Sequence, residues 1–212
     1  MRSTSPKTPV PTNRRRPVQE RSQRTVAAIL QAAAQILIKE GEAALTTNCI
    51  AERAGVSIGT LYQYFPDKRA VCQALVDGQR REAIAAIEAW LDQASREQLP
   101  AAQVARGVVA CIIDGFAGRT PAQRKLARFA WRQDGDESIA LSMRETAERM
   151  AAHLQRWGGP SLSYARLYVA TRAVLGTVRF AALEGSPLIA SGVLEELLCE
   201  MGSSMLLEPA AE

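Results

Sequence analysis

The chain has 212 residues, enough to bury one large core or the cores of a small and a larger domain. Aromatic residues make up only 5% of it, and β-branched residues are scattered through segments rich in Ala, Leu, Glu, Arg and Gln, so the composition favours an all-α fold. No apolar run approaches the roughly 20 residues that span a bilayer, and four dispersed cysteines with one histidine form no metal-binding motif, so we expect no membrane contact, metal or cofactor.

Charge is distributed unevenly along the chain. Residues 1–70 carry eleven basic and five acidic side chains, whereas the remaining residues carry 15 basic and 17 acidic ones. The N-terminal third is therefore the part suited to a polyanion such as nucleic acid.

The first 18 residues are predicted to form a flexible basic arm, since residues 1–17 hold four prolines and cannot propagate a helix. Arg14, Arg15 and Arg16 lie in this arm and are followed by polar residues, so we expect a cytoplasmic protein without a secretion signal. Two roles remain open for these arginines: a contact with a DNA groove or phosphates, or a solvated tail that raises nonspecific attraction.

Helical periodicity begins after the arm. Apolar residues recur at steps of three and four, which predicts a first helix from about Ser22 to near Gly41. Hydroxyl residues at 46 and 47 then precede a short second helix, Asn48–Ala54. Gly55 allows the chain to reverse, Ser57 caps a third helix, Ile58–Tyr64, and Pro66 and Asp67 end it and begin the next.

Three helices with a sharp turn before the short, capped third one are typical of a helix-turn-helix DNA-binding domain. The run LTTNCIAERAGVSIGTLYQYFPDKRAV also resembles the signature of the TetR family of bacterial transcription regulators, over roughly Arg24 to Val71. The resemblance implies a DNA-binding domain over residues 19–67 and a helical effector-binding and dimerisation domain over residues 68–212, with about nine helices in all.

The third helix would supply the contacts with DNA. Short or polar outward positions let such a helix approach base edges in the major groove, which indicates Ile58, Gly59, Thr60 and Gln63. The family pattern implies phosphate contacts from five further residues: Thr47, Ser57, Tyr62, Tyr64 and Lys68. Leu61 and Phe65 are predicted to point inward, and the alternative for both tyrosines is that their rings merely cover the core. Cys49 departs from the family pattern, in which a basic residue is common.

The C-terminal part reads as further amphipathic helices with breaks at GRTP, DGD, GGP and EGSP. The helix 164–184 and the last helix, 191–207, are strongly apolar, and we expect them to form a homodimer interface, the alternative being ordinary core. The interface candidates are Leu167, Thr171, Val174, Val178, Leu194, Leu197, Leu198 and Met201. The candidates for an effector pocket, or again for core, are Trp90, Cys111, Phe116, Phe129, Trp131 and Met143.

These features predict a dimeric, sequence-specific repressor that a small-molecule effector releases from an inverted-repeat operator in double-stranded DNA. The alternatives are a regulator without an effector, controlled by a partner or constitutive, and an activator. The nucleotide-binding, zinc-protease and serine-hydrolase motifs are missing from the sequence, and we expect no enzymatic activity.

Overall fold

The computed structural model of the protein describes residues 15–133 and 164–207, together with residues 140, 141, 144, 147, 148, 151 and 152. The predicted arm up to residue 14, most of the segment between the predicted breaks at DGD and GGP, and Met143 of the predicted pocket lie outside the described residues. Regular structure in the described ranges is helical, as expected.

In the described part of the chain, six helices precede residue 134 and three follow residue 163. The first six are α1 (Arg15–Lys39), α2 (Thr47–Ala54), α3 (Ile58–Tyr64), α4 (Lys68–Arg96), α5 (Ala101–Phe116) and α6 (Pro121–Gln133), with a 3-10 turn at Glu42–Ala44. The last three are α7 (Tyr164–Glu184), α8 (Pro187–Ser191) and α9 (Val193–Leu207).

The first helix begins earlier than the sequence predicts. It starts at Arg15, so the predicted arm ends before residue 15 and not at residue 18. Pro17 then falls in the first turn of the helix, where backbone amides have no partner inside the helix and proline costs little. The predicted break before the last helix is also more structured than expected, because Ser186 caps the separate short helix α8.

The N-terminal core joins α1, α2, α3 and the first turns of α4. Ile29 and Ile36 of α1 are fully buried there against Ile50, Leu61 and Val71. The predicted apolar stripe on the first helix therefore closes a three-helix domain, with burial of apolar area as its main driving force.

The second core lies among α4, α5, α7, α8 and α9. In this core, Ile87 and Leu91 of α4 are buried with Val108 and Ile112 of α5 and Val178 of α7. Because α4 supplies side chains to both cores and is about 43 Å long at 1.5 Å per residue, it connects the two halves of the chain.

Helix α6 is a second connection between the halves. Phe129 is buried in the N-terminal core, whereas Trp131, two residues further, is buried in the second core. Lys125 of the same helix donates from Nζ to the carbonyl oxygen of Ile38 near the end of α1, at 2.8 Å. A rearrangement of the second core can therefore be transmitted to the N-terminal core through two helices, α4 and α6.

Within the described residues, no helix is both long enough and apolar enough to cross a membrane.

Candidate DNA-binding site

The turn between α2 and α3 depends on Gly55. Its φ of 67° lies in the left-handed region, which a residue with a Cβ atom adopts only at a cost. The amide of Val56 then donates to the carbonyl oxygen of Ala51 at 3.0 Å, which closes the end of α2. The chain reverses within a few residues and enters α3 in a fixed direction.

Side-chain caps fix the start of all three helices around the site. Thr46 accepts a hydrogen bond from the amide of Cys49 at 3.2 Å, and Ser57 accepts one from the amide of Thr60 at 3.0 Å. Asp67 accepts one from the amide of Ala70 at 2.8 Å. The predicted caps at Ser57 and Asp67 are confirmed, and α2 begins at Thr47 because Thr46 is its cap.

Helix α3 has one face in the core and one in solvent. Leu61 is fully buried and Phe65, just after the helix, is 8% exposed, so both point inward as predicted. Gln63 and Gly59 are exposed, Ile58 is 39% exposed, and Thr60 is half-buried, with its hydroxyl 2.8 Å from that of Ser57. The outward face offers an amide, an apolar side chain and hydroxyls, the groups that contact base edges in a major groove.

The two tyrosines lie differently on the domain. Tyr62 is 50% exposed, and its hydroxyl is 3.3 Å from the hydroxyl of Thr47 on α2. Tyr64 is half-buried and packs against the N-terminal core. Tyr62 therefore links α3 to the first residue of α2, whereas the ring of Tyr64 also covers core.

Positive charge borders this face at Lys68, which is exposed in the first turn of α4. Arg53 of α2 is paired instead with Glu40 at 2.6 Å. The structure thus brings Thr47 of α2 into contact with Tyr62 of α3, and Ser57, the cap of α3, into contact with Thr60. The other predicted contact residues of α3 are Ile58, Gly59, Gln63 and Tyr64.

A short, capped helix presented by a glycine turn on a three-helix core defines a helix-turn-helix DNA-binding domain. Residues 29–75 match the family model of the bacterial regulatory proteins of the tetR family, which includes all of α2 and α3. This N-terminal segment of the chain is therefore similar to the DNA-binding domain of the TetR family.

Solved structures of regulators share the whole fold. A protein described as a TetR-family transcriptional regulator from Mesorhizobium loti is 22% identical, with a TM-score of 0.61, and the match covers 88% of this chain and 96% of that one. The fatty acid degradation regulator FadR from Bacillus halodurans is 16% identical, with a TM-score of 0.57 over 89% and 97% of the two chains. FadR from Bacillus subtilis, in complex with stearoyl-CoA, is 19% identical, with a TM-score of 0.53 over 85% and 95%. No curated protein sequence matches the chain.

The described residues predicted for an effector pocket are divided between the two cores. Phe129 lies in the N-terminal core, whereas Trp90, Cys111, Phe116 and Trp131 belong to the second core or pack against it. The Trp90 indole N–H donates to the carbonyl of Val104 at 3.0 Å, and that of Trp131 donates to the carbonyl of Phe116 at 2.8 Å. Both tryptophans thus tie helices together. Phe116 and Trp131 line one cavity together, a 20 Å³ space between α4, α5 and α6.

The residues predicted for a dimer interface are mostly inside the single chain. Six of the eight are less than 9% exposed, whereas Leu197 is 54% exposed and Met201 is half-buried. The buried residues are Leu167, Thr171, Val174, Val178, Leu194 and Leu198. Within the single chain these six side chains are packed as core, which is the alternative that the sequence left open.

Three of these residues border an apolar cavity. A 40 Å³ space between α5, α7 and α9 is lined by Leu167, Thr171 and Val174 together with α5 side chains such as Val108 and Ile112. The Thr171 hydroxyl donates to the carbonyl of Leu167 at 2.7 Å, so its hydrogen-bonding need is met inside α7. The wall facing the cavity is therefore apolar.

The cysteines have no disulfide partner, and three of them are packing groups. Burial raises the pKa of the thiols of Cys72, Cys111 and Cys199, which keeps them protonated at neutral pH. Cys49 is exposed on α2.

The sequence analysis missed an exposed apolar face on α7. Tyr168, Val169 and Phe180 are 41%, 51% and 60% exposed, on the side of the helix opposite Val174 and Val178. Their spacing in the sequence places these residues on one side of a helix, but the apolar stripe on the other side is more continuous and was the one assigned.

Proposed function

We propose that the protein is a sequence-specific transcriptional repressor that binds an inverted-repeat operator in double-stranded DNA as a homodimer and is released by a small-molecule effector. The observation that carries the proposal is the outward face of α3. There Gln63, Ile58 and Gly59 are exposed on a capped helix beside the hydroxyls of Thr60 and Tyr62.

In this proposal some residues of the face contact bases and others contact phosphates. Gln63 pairs with adenine and Ile58 contacts a thymine methyl, while Gly59 lets the backbone approach and Thr60 reaches a base or phosphate. Phosphates are held by the remaining predicted residues, which are Thr47, Ser57, Tyr62, Tyr64 and Lys68. Thr47 and Lys68 lie in the first turns of α2 and α4, whose free amides also favour anions.

Tyr62→Phe tests the phosphate role of this face. Loss of one hydroxyl should weaken binding to every duplex about equally, by roughly twofold to tenfold, because a phosphate contact carries no base information. Fluorescence anisotropy with two unrelated duplexes at two salt concentrations measures this. Tyr164→Phe, the same deletion on an exposed tyrosine of α7, is the matched control. Equal affinities of Tyr62→Phe and wild type would remove Tyr62 from the interface.

The apolar cavity between α5, α7 and α9 supports an effector with a hydrophobic body. Its walls are aliphatic, and the fold is similar to that of FadR from Bacillus subtilis, which was solved with stearoyl-CoA. At 40 Å³ the cavity is far smaller than the roughly 300 Å³ or more of ligand-filled pockets, so binding must separate these helices. Such a separation would reach the DNA-binding domain through α4 and α6.

Fatty acids from octanoate to stearate and their CoA thioesters are the probes for this effector. One of them should raise the melting temperature and lower the DNA affinity by roughly 5-fold to 150-fold, the usual range of such coupling. Ala170→Leu, which fills the cavity wall, should abolish both effects, and Ala190→Leu on an exposed position should keep them. If no probe changes either quantity, the alternative of a regulator without this effector gains support.

A further inference from the structure

Three cations from one turn of α6 line a cleft at the far end of the second core from the apolar cavity. Arg124, Lys125 and Arg128 form one wall, and the opposite wall comes from the end of α7 and from α8, including Gly185 and Ile189. The cleft has a volume of 280 Å³. We call it the basic cleft.

Each of the three cations is anchored by a backbone carbonyl and not by a carboxylate. Arg124 donates from Nη1 to the carbonyl of Arg119, and Arg128 from Nε to that of Ala182 at 3.1 Å. Lys125 donates to the carbonyl of Ile38 at 2.8 Å. These bonds fix the stems and leave further N–H groups on all three side chains.

Arg119, five residues before Arg124, differs from these three cations because it is paired with carboxylates. Arg119 forms ion pairs with Asp114 and, at 2.7 Å, with Glu195, and these carboxylates, Glu195 first, raise its pKa. No acidic side chain lines the basic cleft, and among the described residues none of its three cations has an ion pair. Three positive charges on one helical turn repel one another, so an anion between them would be favoured.

Gly185 shapes the cleft around Arg128. A Cβ atom at this position would lie 2.0 Å from Nη2 of Arg128, so the guanidinium rests directly on glycine backbone. The φ of 70° at Gly185 also lies in the left-handed region. The carbonyl of Ala182 and the backbone of Gly185 thus hold a planar fork of donors, which suits the paired oxygens of a phosphate.

We propose that the basic cleft is a binding site for a small phosphate-bearing anion. Its volume admits a diphosphate group, and Ala117 and Ile189 give it an apolar floor for the body of such a molecule. It is separate from the apolar cavity, because the nearest lining residues on α7, Val174 and Ala182, are eight residues or about 12 Å apart. The proposal goes beyond the proposed function and does not depend on DNA binding.

Calorimetric titration of the full chain with pyrophosphate, in the absence of DNA and at constant ionic strength set with chloride, tests the site. We expect saturable binding of one pyrophosphate per chain. Arg124→Gln together with Arg128→Gln should weaken it at least about tenfold, since each removes charge-assisted hydrogen bonds. Arg132→Gln removes the same charge from an exposed position of α6 outside the cleft, and should stay within about twofold of wild type.

Arg124→Gln alone keeps the test valid if loss of the Arg128 anchor disturbs folding, which a thermal melt of each variant reveals. This single variant should still weaken pyrophosphate binding several-fold, because one set of charge-assisted hydrogen bonds is lost. The loss should be smaller than in the double variant, because the contacts of the other two cations remain. The proposal is overturned if wild type shows no saturable binding. It is also overturned if Arg132→Gln weakens binding as much as the cleft variants do, since only diffuse attraction to a basic chain would then be present.

Discussion

Ser57 has two roles that the structure allows to be separated. Its Oγ accepts the amide of Thr60 and so caps α3, and its side chain is exposed on the face proposed to meet DNA. A cap of this kind contributes about 1 kcal/mol to folding. A seven-residue helix has few hydrogen bonds of its own, so it depends strongly on such a cap.

Two substitutions of Ser57 should affect stability and DNA affinity differently. Ser57→Ala removes the cap and should lower the free energy of unfolding by about 1 kcal/mol, measured by urea denaturation. Ser57→Asp keeps a capping oxygen and should retain most of that stability, yet it should weaken DNA binding strongly because a carboxylate would face phosphates. Wild-type DNA affinity in Ser57→Asp would show that this residue lies away from the DNA backbone.

The local geometry around α3 was predictable because it depends on residues that are close in sequence. Ser57, Leu61 and Phe65 follow one another at four-residue spacing, and the cap, the turn and the inward face are set within a few residues of each helix. The contact between Thr47 and Tyr62 was not predictable in this way, since it depends on the angle at which α2 and α3 pack.

At the scale of elements, α7 is apolar on both sides. One side is buried in the second core through residues such as Val174 and Val178, and the other exposes Tyr168, Val169 and Phe180. Gly176 lies between Val169 and Phe180, and nothing lies within 4 Å of the position a Cβ would take there, so a second helix has room to approach closely. Exposed apolar side chains grouped on one face of a helix are typical of an interaction surface, which supports a second subunit on this face.

Charges on the outer face of α7 should therefore dissociate the proposed homodimer. Val169→Glu with Phe180→Glu should convert a dimer of the 23.0 kDa chain to a monomer without unfolding it, because both side chains are exposed within the subunit. Sedimentation velocity measures this. Ala85→Glu with Ala89→Glu, on exposed positions of α4, should leave the dimer intact. A monomeric wild type at micromolar concentration would contradict the proposal.

The sequence showed which side of α7 is buried but not what buries it. Leu167 and Val178 belong to a correctly predicted apolar stripe, and within the chain α5, α6 and α9 pack against α7. Periodicity reports the burial of a face, whereas the identity of the covering element depends on long-range packing.

For the whole molecule, the connection between the two halves was the least predictable feature. Phe129 and Trp131 are two residues apart on α6, which places them about 200° apart around the helix, so they enter different cores. Sequence alone grouped them into one pocket. Their separation makes α6, with α4, the element through which effector binding and DNA binding would be coupled.

In the proposed homodimer, the outward faces of the two α3 helices read the DNA sequence. Selection of binding sites from randomised duplex DNA tests it most directly, with wild type, Gln63→Ala and the matched variant Gln93→Ala, which alters an exposed glutamine of α4. We predict an inverted repeat with half-sites about 34 to 36 Å apart for all three proteins. Gln63→Ala should lose its preference at one base pair in each half-site, worth about 1 to 3 kcal/mol, and Gln93→Ala should select the wild-type site unchanged. Binding without sequence preference, or a Gln63→Ala site identical to that of wild type, would contradict the account.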